Sequence, residues 1–137
     1  MPVFDPEVFL NNPDVVFIGS RAWGFSTEES DWDYVVKRPL FNELQRVLVN
    51  AGIKMELSSS NNAYNEEESG FYVNWEGRKY NFIPAQDEDE FRCWLWAGDI
   101  MKDLPRSLFR LFRENKSRRV RFFRAMYSAF KTIWPPE

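Results

Sequence analysis

The chain has 137 residues, 44% of them hydrophobic and 18% aromatic, which is enough apolar material to bury one core and excludes a disordered chain. With no histidine and one cysteine, Cys93, it excludes zinc sites, Ser–His and Cys–His catalysis and an internal disulfide framework, and it suits a reducing cytosol. The net charge of −3 conceals a split, since residues 1–101 carry 8 Lys+Arg against 18 Asp+Glu and residues 102–137 carry 10 against 3. The basic end either meets an anionic partner or docks on the chain's own acidic body.

In chain order, Asp5-Pro6 is a helix start, with Asp as cap and Pro in the first turn, and predicts a short helix over about 6–11 that Pro13 closes. Val15 to Ile18 reads as a buried strand. A turn or short helix follows, and then a second strand over Asp31 to Lys37. Its alternation puts Asp31, Asp33 and Val35 on one face and Trp32, Tyr34 and Val36 on the other. "PLFNELQRVLVNAG" is a helix whose apolar stripe is Leu40, Phe41, Leu44, Val47 and Leu48, with Gly52 at its end. Ile53 to Leu57 reads as a short strand, and "SSSNNAYNEEESG" as a polar loop. "FYVNWEGRKYNFIPA" is a hairpin turning at Glu76-Gly77. Asp87 and Glu90 cap a helix to about Lys102; a further helix starts at Asp103 and Pro105, breaks near residue 115, and gives way to a last helix ending near Ile133.

This order predicts an α+β fold, a small mixed sheet with helices on one side and a basic helical extension at the C-terminus. The expected organisation is a core over 1–103, with residues 104–137 packed on the same domain. No apolar run approaches the ~18 residues of a membrane span, and the acidic start lacks the basic region of a signal peptide. The expectation is a cytoplasmic protein with no membrane partner.

The chemistry concentrates in "VVFIGSRAWGFSTEESDWDYVV". A Gly-Ser turn leading into a helix offers backbone N–H groups and a hydroxyl to phosphate oxygens, and Gly19 lets the backbone come close. Two carboxylates two residues apart on a strand point the same way and can share a divalent cation. Carboxylate-held Mg²⁺ with phosphate oxygens is the usual arrangement for phosphoryl and nucleotidyl transfer.

Gly19-Ser20, ten intervening residues, then Asp31 and Asp33, placed between two predicted strands, resembles the signature of the DNA polymerase β-like nucleotidyltransferase superfamily. Arg21-Ala22, Gly24 and Ser30 are similar too. The likeness covers about residues 13–101, and "KYNFIPAQDEDEFRCWLWAGDIM" looks like the later part of small phage-type members; minimal toxin–antitoxin members share the size. The resemblance implies that Gly19, Ser20 and Arg21 bind a nucleoside triphosphate and that Asp31 and Asp33 are the catalytic pair and bind Mg²⁺. It further implies transfer of a nucleotidyl group to a hydroxyl of RNA or protein, in the bacterial cytoplasm if the chain is phage-encoded. Active members usually carry a third carboxylate, and here that third-ligand position falls on Asn81. An amide can coordinate Mg²⁺ through its carbonyl oxygen but carries no charge and cannot act as a base. Glu56 and Glu76 are the alternatives for that role. If Asn81 marks a degenerate site, the chain is instead a nucleotide- or partner-binding protein, for instance a virus-encoded modulator of a host factor.

Residues 104–131 form a basic amphipathic region. Arg118, Arg119, Arg121 and Arg124 could grip the phosphates of an RNA acceptor or a protein partner, or simply stand in water while the apolar stripe packs on the core. Trp23 could stack on a base or fill the core; Trp32, Trp94 and Trp96 read as packing residues. Lys54 and Arg78 could neutralise a triphosphate, and Tyr64 could accept a modification.

Overall fold

The computed structural model describes residues 6–28, 30–57 and 70–133. The Asp5 cap, the polar stretch after Leu57 with its acidic run, and Tyr64 lie outside them. The described elements are α1 (Pro6–Leu10), β1 (Val15–Ile18), α2 (Gly19–Trp23), β2 (Trp32–Lys37), α3 (Arg38–Asn50), β3 (Glu56–Leu57), β4 (Phe71–Trp75), β5 (Arg78–Ala85), α4 (Glu88–Lys102), α5 (Arg106–Glu114) and α6 (Lys116–Ile133).

The strands form one five-stranded sheet in the order β1-β2-β5-β4-β3. β2 and β5 run parallel, and every other neighbouring pair is antiparallel, so the sheet is mixed as expected. α3 carries the chain from β2 to the far edge, and the β3-β4-β5 meander brings it back to the centre. Two strands come out shorter than their apolar pattern predicts. β3 keeps only Glu56 and Leu57, and β2 starts at Trp32, which leaves Asp31 in the preceding loop.

Helices cover both faces of the sheet, where the sequence suggested one. Tyr34, Val36, Tyr80, Phe82, Phe71 and Val73 face α3 through Phe41, Leu44 and Leu48. Ile18, Val35, Ile83 and Ala85 face α4 through Phe91, Trp94, Ala97 and Met101. Tyr34-Val35-Val36 and Tyr80 to Ala85 are buried continuously, which is the pattern of strands covered on both sides. α5 and α6 close the second layer, with Phe112, Phe123 and Tyr127 buried in the same cluster as Trp94.

Local chemistry accounts for the helix ends. The Asp87 carboxylate accepts from the Glu90 N–H at 2.8 Å at the start of α4. Asn115 does the same for α6, accepting from the Arg118 N–H at 3.1 Å, and this produces the break between α5 and α6. No described helix is long and apolar enough to cross a membrane.

Candidate functional site

The Gly-Ser turn and the aspartates meet at one end of the sheet. Ile18, the last residue of β1, is paired with Asp33, and Asp33 with Asn81 on β5. The same row continues through Tyr72 on β4 to Glu56 on β3. Gly19 follows Ile18 with φ +84°, and its α-carbon presses on Asp33 so closely that a β-carbon there would collide with the carboxylate. Glycine is needed on both counts, since a side chain would strain the backbone and displace the acid. α2 then runs to Gly24, whose left-handed φ of +89° returns its N–H to the Ser20 carbonyl.

Asp33 is the electrostatic centre of the site. Asn81 Nδ2 donates to Asp33 Oδ1 at 3.2 Å. Burial pushes the Asp33 carboxyl up to about 6, and the nearby charge of Asp31 adds to the rise; the Asn81 hydrogen bond and the charges of Lys116 and Arg21 oppose it. Asp31 is partly exposed in the loop just ahead of the strand.

The sequence-predicted residues divide on placement. Gly19, Ser20, Asp31, Asp33 and Asn81 are brought together. Arg21 stands beside them but is occupied with the loop, as Nε donates to the Ser30 carbonyl at 2.9 Å and Nη2 to that of Glu28 at 3.2 Å. Glu56 shares the row with Asp33 but sits three strands away, about 14 Å at ordinary strand spacing. Glu76 lies at the hairpin turn. Neither supplies a third carboxylate, and among the described residues no group of three metal-binding side chains assembles.

The basic helices do not present four equivalent arginines. Arg118 and Arg121 are exposed, and Arg124 is half-buried. Arg119 is 6% exposed, stacks over the Phe25 ring at 4.8 Å and donates through Nη1 to the Phe112 carbonyl at 3.1 Å. The i, i+3 and i+4 spacing of aromatic residues along α6 sweeps Arg119 onto the inward face. Trp23 is core, stacked on Phe123 at 5.0 Å. Lys116 is the residue that sequence reasoning missed. It reaches the neighbourhood of Asp33 because Asn115 starts α6 there, and only the chain's return path reveals that.

Asn81 carries the one feature in the site that points to a ligand. It is 6% exposed, and its Oδ1 has no hydrogen-bond partner, because the amide turns its NH₂ to Asp33. A buried carbonyl oxygen without a partner normally costs free energy, about 1–3 kcal/mol, unless something occupies it. With the Asp33 carboxylate beside it and the charge of Asp31 nearby, the buried acceptor suits a hard cation. Mg²⁺ needs only one or two carboxylates when waters and substrate phosphates complete its shell.

No protein-family model and no curated protein sequence matches the chain. Solved structures similar to it in shape include two that act on RNA or uridine polymers by name. One is the Cid1 poly(U) polymerase, at 12% identity and TM-score 0.45 over 71% of this chain. The other is a cytoplasmic RNA terminal U-transferase, at 14% identity and TM-score 0.45 over 69% of this chain. The chain spans 29% of the length of each.

Proposed function

We propose that this chain is a small nucleotidyltransferase of the DNA polymerase β-like superfamily, of the phage-type kind, acting with Mg²⁺ in the cytoplasm. It transfers a nucleotidyl group from a nucleoside triphosphate to a hydroxyl of RNA or protein, releasing pyrophosphate. The observation that carries this reading is the packing of Gly19 on Asp33, which sets the Gly-Ser turn directly against one of the two acids.

The roles follow from placement. Asp31 and Asp33 would hold the metal, with Asn81 Oδ1 as a neutral third donor. An Mg²⁺ ion held by these residues would supply charge neutralisation to the reacting phosphate and to pyrophosphate. Ser20 and the N–H groups at the start of α2 face the triphosphate. Lys116 adds positive charge from the start of α6. Asn81 fixes the orientation of Asp33 through its 3.2 Å hydrogen bond.

A second reading has its own observation. With an amide where a charged ligand is usual, and no other carboxylate in reach among the described residues, the site could bind a nucleotide without turning it over. Such a protein would act as a virus-encoded modulator of a host factor. Calorimetry with the four triphosphates, with and without Mg²⁺, on the wild type and on Asp31→Asn/Asp33→Asn, tests the site. The expected result is Mg²⁺-dependent binding that the double variant loses. Binding unchanged in that variant would refute the placement, and labelled-nucleotide incorporation then separates the enzyme from the binder.

A further inference from the structure

Some cations of the acidic body pair with carboxylates, and one of these, Lys37, also lies over the Phe91 ring at 4.9 Å. Lys37 lies 3.2 Å from Asp14 and 2.7 Å from Glu88, Arg46 pairs with Glu43, and Lys54 reaches Glu56 at 4.0 Å. Four others lie on aromatic rings, Arg38 over Phe41 at 5.1 Å beyond the other end of β2 and three nearer the site. Arg21 and Arg78 contact the Trp32 ring at 4.4 Å and 4.3 Å, and Lys79 sits over the Tyr72 ring at 4.2 Å. No carboxylate of a described residue pairs with any of these three. A carboxylate partner cancels a cation's field, whereas a ring leaves most of it in place.

The strand register puts these cations beside the site. Tyr72 pairs with Asn81 and Asn81 with Asp33, so Tyr72 lies on the site's face two strands from the acid, about 10 Å. Lys79 is two residues before Asn81 on that same face. Arg78 turns to the opposite face of the same sheet end, against Trp32. Arg78 and Lys79 are exposed and Tyr72 half-buried. The helices on the site's face pack on Ile18, Val35, Ile83 and Ala85, and Tyr72 is not among the residues packed on that core.

We propose that the β4–β5 hairpin end is a docking surface for single-stranded nucleic acid. Tyr72 offers a stacking face to a base, and Arg78 and Lys79 hold phosphates on either side of the sheet end. A terminal hydroxyl held there is led toward Asp31 and Asp33. The inference rests on the transferase reading for the fate of that hydroxyl, but not for the binding itself. Rings interleaved with cations that no carboxylate of a described residue pairs are what single strands require, because bases need a flat apolar partner and phosphates need charge. An acidic peptide would use the cations and leave the ring idle. This placement also moves the acceptor from α6, where Arg119 is buried.

The test is fluorescence anisotropy of the full chain with end-labelled RNA and DNA single strands of about 12 nucleotides, and with a duplex. Neither Mg²⁺ nor triphosphate is present, so the result is independent of whether the Asp31/Asp33 site binds nucleotide. Single strands are expected to bind in preference to duplex. Arg78→Ala/Lys79→Ala is expected to weaken binding at least tenfold at low salt. It should also lower the log–log salt slope by about 1.4, at roughly 0.7 for each of two phosphate contacts. Tyr72→Ala is expected to weaken it about tenfold or more while Tyr72→Phe retains it. If Tyr72→Ala does not fold, Tyr72→Leu keeps the bulk without the ring. Arg118→Ala/Arg121→Ala should change binding less than about twofold. No binding by the wild type at low salt overturns the proposal and points to a protein acceptor. Loss in the Arg118/Arg121 variant with the hairpin variant unaffected overturns it in favour of α6.

Discussion

The Asn81 amide gives its NH₂ to Asp33 across 3.2 Å and leaves its own carbonyl oxygen buried without a partner. One side chain thus steadies the acid and keeps an acceptor open at the centre of the site. A carboxylate at position 81 could do the second of these only by abandoning the first. Asn81→Asp is therefore expected to place like charges side by side in a buried row and to destabilise the metal-free protein by about 1–3 kcal/mol at neutral pH. Mg²⁺ should restore more stability to this variant than to the wild type. Thermal unfolding with and without Mg²⁺ reads both, and an unchanged response to the ion would contradict Asn81 as part of the ion's shell.

The raised carboxyl of Asp33 gives a pH signature. Its folded value of about 6 stands above the ordinary 3.8, so the folded protein binds the proton more tightly than the unfolded chain. Stability from this group is full at low pH and falls as pH rises from about 4 to about 6, by about 3 kcal/mol at the limit. Asp33→Asn removes the buried charge and should be more stable than the wild type above pH 6, with the gap closing toward pH 4. Urea unfolding at pH 4.5 and pH 7.5 tests this. Binding of Mg²⁺ with nucleotide should strengthen between pH 5 and pH 7, because the cation must displace that proton.

Two glycines with the same backbone twist should respond differently to substitution. Gly19 and Gly77 have φ values of +84° and +82°, but only Gly19 has a side chain in the way of an added β-carbon. Gly77→Ala should cost about 1–2 kcal/mol from backbone strain alone. Gly19→Ala adds displacement of the Asp33 carboxylate, so it should cost more and also abolish nucleotide binding. Equal losses in denaturant unfolding, with binding retained, would show that the Gly19–Asp33 contact is incidental.

Neighbouring arginines of α6 should separate in the same way. Arg119→Ala removes packing on Phe25 and strands the Phe112 carbonyl, an expected loss of about 2–3 kcal/mol. Arg121→Ala, at an exposed position, should change stability by no more than about 0.5 kcal/mol. A Lys at 119 should not rescue, because an ammonium lacks the flat surface that stacks on the ring. Urea midpoints of the three variants settle the matter.

The order and type of the elements, the helix start at Asp87, the helix break near residue 115, the hairpin turn at Glu76-Gly77 and the paired motif of Gly19-Ser20 with Asp31 and Asp33 could all be read from the sequence. Each is a local property, written in side-chain periodicity and turn chemistry within a few residues. The cover on both faces of the sheet was not read from the sequence, which suggested helices on one side; the unbroken burial of Tyr34 to Val36 and Tyr80 to Ala85 belongs to the folded chain.

Only the tertiary structure decided which residues share a row across the sheet. That Asn81 lies beside Asp33, that Glu56 lies three strands off and that Lys116 comes near the acid all depend on register and on the return path of the chain. Contacts between residues far apart in sequence leave no periodic trace, because they are fixed by how whole layers pack, and a shift of one residue in register would have replaced every one of them.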